Sequence, residues 1–370
     1  MTRQHAARGT RAAAARRDRA LLAALAGAGD HLTVEIDGEA VAFTHLDRIY
    51  WPADAAFEQP AITKRDYLRY LVEVAPALLP HACDRPLTLF RWPEGIAGRR
   101  VLEKHWAIAL PAFVERVDVF SESKRRTDQY ILCNNLATLL WLAHMGTLEF
   151  HMWHSRVRTD TKVRDAGGDF ATSLAALRNS VLERPDYLLF DLDPFIGEVP
   201  AGMRETPFNP TAFEKVKTIA LSVHALLADI GLASLVKTSG KTGLHVIVPI
   251  VRSLRYDSVR EMASYIAARL LREHRHEVTT DWSIERRTGK VFIDANMNAR
   301  GKSIAVPYSP RGLPGAPVSM PLAWDALRDA LPSDYRVPSV PAHVRAGGDP
   351  WGGWLERKQD VMDRLALGAA

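Results

Sequence analysis

Cysteine is scarce in this 370-residue sequence: Cys83 and Cys133 are the whole supply. Two thiols cannot build a disulfide framework or a four-thiolate zinc site, so both read as reduced, buried thiols of a cytoplasmic protein. Long apolar runs are missing as well, and none approaches the roughly 18–20 residues of a membrane span. Lysine is rare beside arginine, 11 against 37. The body of the chain also lacks net charge. The formal +5 lies within residues 1–20, where Arg3, Arg8, Arg11, Arg16, Arg17 and Arg19 face only Asp18; the other 350 residues hold 42 bases and 42 acids. Such a body can bind nucleic acid or phosphate only through a local arrangement of side chains.

What is present is a globular composition, 47% hydrophobic and 25% charged, which excludes wholesale disorder. The Arg/Ala-rich start followed by Leu21-Leu22-Ala23-Ala24-Leu25-Ala26 faintly resembles a secretory signal or a transit peptide. Asp18 abuts the apolar stretch, which is short, and arginine bias runs through the whole chain. The expected reading is a disordered arm over 1–15, a short helix over 16–27 and a boundary near residue 30.

Alternating apolar positions around Asp37-Gly38 predict a hairpin over 32–43. Thr63 is the predicted N-cap of a helix through about Leu79, and a second helix is predicted from about Gln129 to Met145. Tyr187–Asp193 reads as a strand, and Asn209-Pro210 opens a long helix ending at Gly231. Strands at 235–237 and 244–250, a helix over 257–273 and strands near 290–294 and 303–307 follow. This order predicts a mixed α/β or α+β fold, with helices on the faces of the sheet. Residues 31–330 form the expected catalytic domain, with subregions of about 31–150 and 151–330, and 331–370 reads as a loose tail.

Three places can carry chemistry. Asp191 and Asp193 are i and i+2 on one strand and project from one face. Adjacent like charges favour a cation between them, and hard oxygen ligands suit Mg²⁺ or Mn²⁺; strand ends at a surface also carry Asp for no such reason. Ser239-Gly-Lys-Thr-Gly-Leu-His245 offers glycines for close backbone approach, hydroxyls, and Lys241 and His245 for phosphate oxygens. It is not a P-loop, since a strand follows it and its second glycine precedes neither Lys nor Ser/Thr; a plain polar turn is the alternative. Asp294 ends the apolar run Val291-Phe-Ile, with Arg287, Lys290, Arg300, Lys302 and Arg311 nearby. A third acid is what a two-metal site needs. His151 and His154 flank Met152-Trp153, but no Cys or third His has the spacing for a transition-metal site.

Asp-x-Asp, then Ser-x5-His, then a strand-end Asp resembles the archaeo-eukaryotic primase superfamily, and more closely the polymerase domain of bacterial ligase D, the non-homologous end-joining family. The likeness covers roughly 44–330 and includes Thr44-His-Leu-Asp-Arg-Ile-Tyr-Trp-Pro52, Arg91-Trp-Pro-Glu-Gly95, Glu103-Lys-His105, Val236-Lys-Thr-Ser-Gly240, Asn298-Ala-Arg-Gly301 and Pro314-Gly-Ala-Pro-Val-Ser319. The resemblance implies template-directed addition of NTP or dNTP to a 3′-hydroxyl at a gap or broken end, with two Mn²⁺ or Mg²⁺ ions. It implies Asp191, Asp193 and Asp294 as catalytic metal ligands. Lys104, His151, Ser239, Lys241, His245, Arg287 and Arg311 would hold the nucleotide, and Arg48 and Lys64 the DNA 5′-phosphate. It further implies a monomeric, cytoplasmic, nucleoid-associated protein working with Ku and a separate ATP-dependent DNA ligase, without membrane contact.

The sequence departs from the family in places. Thr242 stands where Lys is usual, Val101-Leu102 where aromatics stack on template bases, and Met297 where a basic or polar residue is common. Segments 53–61 and 158–182 read as insertions. Glu35-Ile-Asp-Gly38 lacks a ligase nucleophilic lysine, so a stand-alone polymerase is expected. Two rival readings are a haloacid-dehalogenase-like phosphohydrolase with Asp191 as nucleophile, and a DNA-end or nucleotide-binding subunit descended from a polymerase.

Overall fold

The apolar run Tyr187-Leu-Leu-Phe becomes a central strand because its neighbours on both sides bury it. The structure, a computed structural model, describes residues 2–106, 108–158, 167–195 and 208–362. Tyr187–Pro194 lies inside a six-stranded sheet in the order Val278–Thr279, Val291–Ile293, Tyr187–Pro194, Leu244–Pro249, Leu235–Thr238, Pro321–Leu322. Only the first pair is parallel. Strand pleating sends Leu188, Phe190 and Leu192 to one face and Asp191 and Asp193 to the other. The helices Pro210–Asp229 and Tyr256–Glu273 pack against this sheet. The Asn209 side chain accepts from Ala212 N at 2.9 Å and Pro210 fixes the first turn, as expected of these residues.

A second, fully antiparallel sheet runs Ser303–Ala305, Thr147–Trp153, Leu87–Arg91, Val101–Glu103. The helix Lys64–Ala82 begins with a capping box between Thr63 and Asp66 and packs on the helix Leu136–His144. The predicted hairpin is present: Ile36 pairs with Glu39, leaving Asp37 (φ 55°) and Gly38 (φ 88°) as the turn. Two positive φ values make it a type I′ turn, which matches strand twist. Both cysteines are free and Cys133 is buried. Among the described residues no helix is long and apolar enough to cross a membrane.

Three expectations are corrected. The arm assigned to 1–15 is part of one helix, Thr2–Gly27, whose Leu21 and Leu25 are buried; a proline-free, alanine-rich stretch has high helix propensity. The helix predicted from Gln129 starts at Leu136, where the Asn135 side chain accepts from Thr138 N at 2.7 Å. Arg126–Ile131 is instead a strand paired with Arg116–Ser121. The tail from 331 is packed as far as it is described: Trp351 and Trp354 are buried, Trp351 Nε1 donates to Val236 O at 3.0 Å, and Gln359 bridges to Ile250. One apolar core runs from Leu21 to Val361. Of the insertion at 158–182, residues 159–166 lie outside the described residues, and Leu174–Arg178 is a short helix.

Asp186, just before the central strand, is fully buried and surrounded by cations. Arg85 reaches its carboxylate at 2.9 Å, Arg156 at 3.0 Å and Lys358 at 2.6 Å, with Arg252 at 3.8 Å. Burial works to raise its pKa, but these charges hold it far below the usual carboxylate range.

Candidate active site

The three acids come together at the open end of the central strand. Asp191 lies directly opposite His245, Asp193 opposite Phe292, and Asp294 N donates to Asp191 O at 3.1 Å. His245 Nε2 stands 3.2 Å from Asp191 Oδ1. Burial, then the charges of Lys237 and Arg311, press His245 well below the ordinary histidine range, so the neutral ring donates to Asp191. Lys237, on the next strand opposite His245, is buried and donates to Ser319 Oγ.

All three carboxyls are held above their ordinary pKa. For Asp191 the cause is loss of water, opposed by Lys237 and Arg311. For Asp193 it is loss of water, then repulsion from Asp191 and Asp294. Asp294 also rises through burial and the charge of Asp191, against a hydrogen bond from Asn296 N. Asp193 is exposed to solvent, which tempers the first cause, so the repulsion from Asp191 and Asp294 is the firmer one.

The turn after Leu235–Thr238 closes over this group. Ser239 Oγ accepts from Lys241 N at 3.2 Å and from Gly243 N at 3.1 Å, while Ser239 N donates to Gly243 O at 2.9 Å. Gly243 is required by proximity. A Cβ there would sit 2.4 Å from Leu192 O and 2.6 Å from Asp193 Oδ1.

Arg311 ties the two sheets together. Its Nη1 donates to Ser239 O at 2.7 Å and its Nη2 lies 3.1 Å from Glu149 Oε2 on the second sheet. Glu149 also accepts from Gly312 N at 3.0 Å and stands 3.1 Å from His151 Nε2. Burial would raise the Glu149 pKa, yet Arg311 and His151 hold it well below the carboxylate range. Burial and the Arg311 charge push His151 down to about 4 against its bond to Glu149. Ser239, Lys241, His245, His151 and Arg311 thus gather around the acids, with Lys241 close enough for its charge to bear on Asp193 and Glu149.

The other expected residues stand apart. Arg287 lies over Phe292 at 3.6 Å and over Trp282 at 4.7 Å, and its Nε donates to Asp281 O at 2.8 Å; it bears on the acids through its charge at Asp294. Lys104 is exposed on the turn after Val101–Glu103, and no contact joins it to the acids among the described residues. Arg48 and Lys64 form a separate basic cluster with His45 and His144. Lys64 N donates to Arg48 O at 2.8 Å, Lys64 Nζ to Thr44 O at 2.9 Å, and Arg48 Nη1 to Pro93 O at 2.8 Å. Burial, then the Arg48 charge, lowers Lys64 to about 8. His154 is buried against Tyr187, with ring centroids 4.8 Å apart.

Sequence reading missed Glu149 and gave Lys237 no role. A single acid inside the apolar strand Thr147-Leu-Glu-Phe-His-Met-Trp was the available signal for Glu149. It also missed an apolar cavity of about 610 Å³ lined by Pro52, Phe57, Ile96, Leu313, Pro314 and Arg336. This cavity shares Gly240–Thr242 with the turn but none of the three acids, and Phe57 reaches it from the segment 53–61.

Hard oxygen donors, of which Asp193 and Asp294 are pushed up by neighbouring carboxylates, fit divalent cations, whose charge would relieve that repulsion. Two of them also have protein partners: Asp191 meets His245 and Asp294 accepts from Asn296 N at 2.9 Å. Among the described residues no three His, Cys, Asp or Glu side chains form a ready-made metal cage.

The family described as LigD, primase-polymerase domain, matches residues 63–351. The chain is 30% identical over 328 residues to the multifunctional non-homologous end joining DNA repair protein LigD of Mycobacterium tuberculosis, covering 88% of this chain and 38% of that protein. It is 27% identical over 320 residues to the bifunctional non-homologous end joining protein LigD of Bacillus subtilis, covering 86% and 44%. The chain thus spans less than half the length of these relatives. The polymerase domain of Mycobacterium tuberculosis ligase D, solved in complex with DNA, superposes with a TM-score of 0.70 at 27% identity over 86% of this chain and 99% of that one. With its antiparallel sheets and flanking helices, this chain belongs to the LigD primase-polymerase domain family.

Proposed function

We propose that the protein extends a 3′-hydroxyl at gaps or broken ends of DNA, copying a template during non-homologous end joining. The reading rests chiefly on Asp191, Asp193 and Asp294 meeting beneath the Ser239–His245 turn. The 3′-oxygen attacks the α-phosphorus of an NTP or dNTP, the α–β bridging bond breaks, and pyrophosphate leaves. Asp191, Asp193 and Asp294 would hold two Mn²⁺ or Mg²⁺ ions, which when bound supply charge neutralisation and a more acidic 3′-hydroxyl. Neutral His245 keeps Asp191 oriented. The hydroxyl of Ser239, with Lys241 and Arg311, lines the place where phosphate oxygens would gather, and His151 on the facing sheet would meet the sugar. Arg48 and Lys64 would grip a downstream 5′-phosphate, a local contact suited to a body without net charge. Ku and a separate ATP-dependent ligase are the proposed partners, in the bacterial cytoplasm at the nucleoid.

The decisive experiment is primer extension on a gapped duplex with a 5′-phosphate, Mn²⁺ and NTPs or dNTPs. The wild type should extend and Asp191→Ala should not. No extension by the wild type, or undiminished extension by the variant, refutes the proposal. The phosphohydrolase reading is not favoured, since residues 63–351 match the LigD primase-polymerase domain family.

A further inference from the structure

Trp282 is a large aromatic left in solvent, 59% exposed, within two side chains of the acids. Its ring meets Phe292 at a centroid distance of 5.2 Å and an interplanar angle of 72°. Phe292 lies directly opposite Asp193 across the sheet, so the two share a face. Arg287 is wedged against both rings, 4.7 Å from the indole centroid and 3.6 Å from the phenyl centroid. Its Nε is fixed by Asp281 O at 2.8 Å, while its Nη2 is buried without a hydrogen-bond partner among the described residues. Single exposed apolar side chains are ordinary. This one differs in being held by a fixed cation and a second ring, and that ring lies opposite Asp193 in the sheet.

We propose that Trp282, braced by Arg287 and Phe292, is a stacking platform for an unpaired nucleobase of the DNA strand that runs past Asp193 and Asp294. The inference rests on the polymerase reading for its ligand class, a single-stranded nucleotide beside the primer terminus. Every base presents a π-face, so the platform is tolerant of sequence and discriminates unpaired from paired DNA.

The test uses fluorescence anisotropy of labelled duplexes with and without a short 3′ single-stranded overhang, on the full chain. Trp282→Ala should bind the overhang substrate about 5- to 100-fold more weakly and the blunt duplex as wild type does. Trp282→Phe should restore most of the affinity, and Trp282→Leu, apolar but without a π-face, should behave as Ala. The salt dependence should keep its slope, because no phosphate contact is lost. Wild-type overhang binding by the Ala variant, or equal rescue by Leu and Phe, overturns the platform. Primer extension run in parallel separates the two ideas: an inactive wild type whose overhang binding still depends on Trp282 keeps the platform and sinks the polymerase reading.

Discussion

Replacing Gly243 by Ala tests the contact between the phosphate-side turn and the acid-bearing strand. The backbone angle at Gly243 is not the difficulty; the added methyl is. It would lie 2.4 Å from Leu192 O, a backbone atom flanked by hydrogen-bonded residues, and 2.6 Å from Asp193 Oδ1. Neither distance is tolerable, so the turn or Asp193 must move by the order of an ångström. Overpacking of this kind costs about 1–3 kcal/mol. With an unfolding entropy of about 2.1 cal/mol/K per residue, Tm should fall by only about 1–4 °C. Catalysis should suffer far more, because a misplacement of about 1 Å at the reacting groups costs on the order of 100-fold. The assay is single-nucleotide primer extension beside a thermal unfolding curve. Gly29→Ala, where a Cβ would meet nothing within 4 Å, is the control. A Gly243→Ala protein with wild-type kcat and KM would show that the turn does not set the position of Asp193.

Two more outcomes are expected. Lys64 falls to about 8 from 10.5, so as pH rises through that window the unfolded chain holds the extra proton and stability rises, while a bound 5′-phosphate loses its cationic partner. The preference for 5′-phosphorylated over 5′-hydroxyl gapped DNA should therefore decline above about pH 8 and persist to higher pH in Lys64→Arg; a flat ratio in both refutes the assignment. Truncation after residue 348 removes buried Trp351 and Trp354 and the Lys358 contact to Asp186. At about 3–5 kcal/mol for each tryptophan against a total of about 5–15, the truncated chain should show no cooperative melt, and one melting within a few degrees of the full chain would contradict the packing of the tail.

Local chemistry made much of this molecule readable. Asp37-Gly38, Thr63 with Asp66, and Asn209-Pro210 act within a few residues, and each turn or cap formed where its side chain permits. The acids were readable because period-two alternation alone places Asp191 and Asp193 on one face. Glu149 was not, since its role comes from Arg311, which lies 162 positions away and meets it only when the two sheets face each other. The tail misled for a related reason: its Gly- and Pro-rich sequence lacks periodicity, and Trp351, Trp354 and Lys358 are held by partners from residues 81, 186 and 236. Arg287 was expected at the triphosphate by position, but its own segment supplies Trp282 as a nearer surface.

The buried Asp186 has a meaning beyond the energy of its ion pairs. Removing two opposite charges from water together is rarely a net gain, whereas a charge that must meet particular partners is a strong selector of alignment. Asp186 immediately precedes the central strand, and Arg85, Arg156, Arg252 and Lys358 converge on that one position. A slip of one residue in that strand would turn Leu192 into the cleft and both aspartates into the core. The four cations work as a lock on register, so a change at this cluster would silence the acids while leaving every cleft residue in the sequence intact.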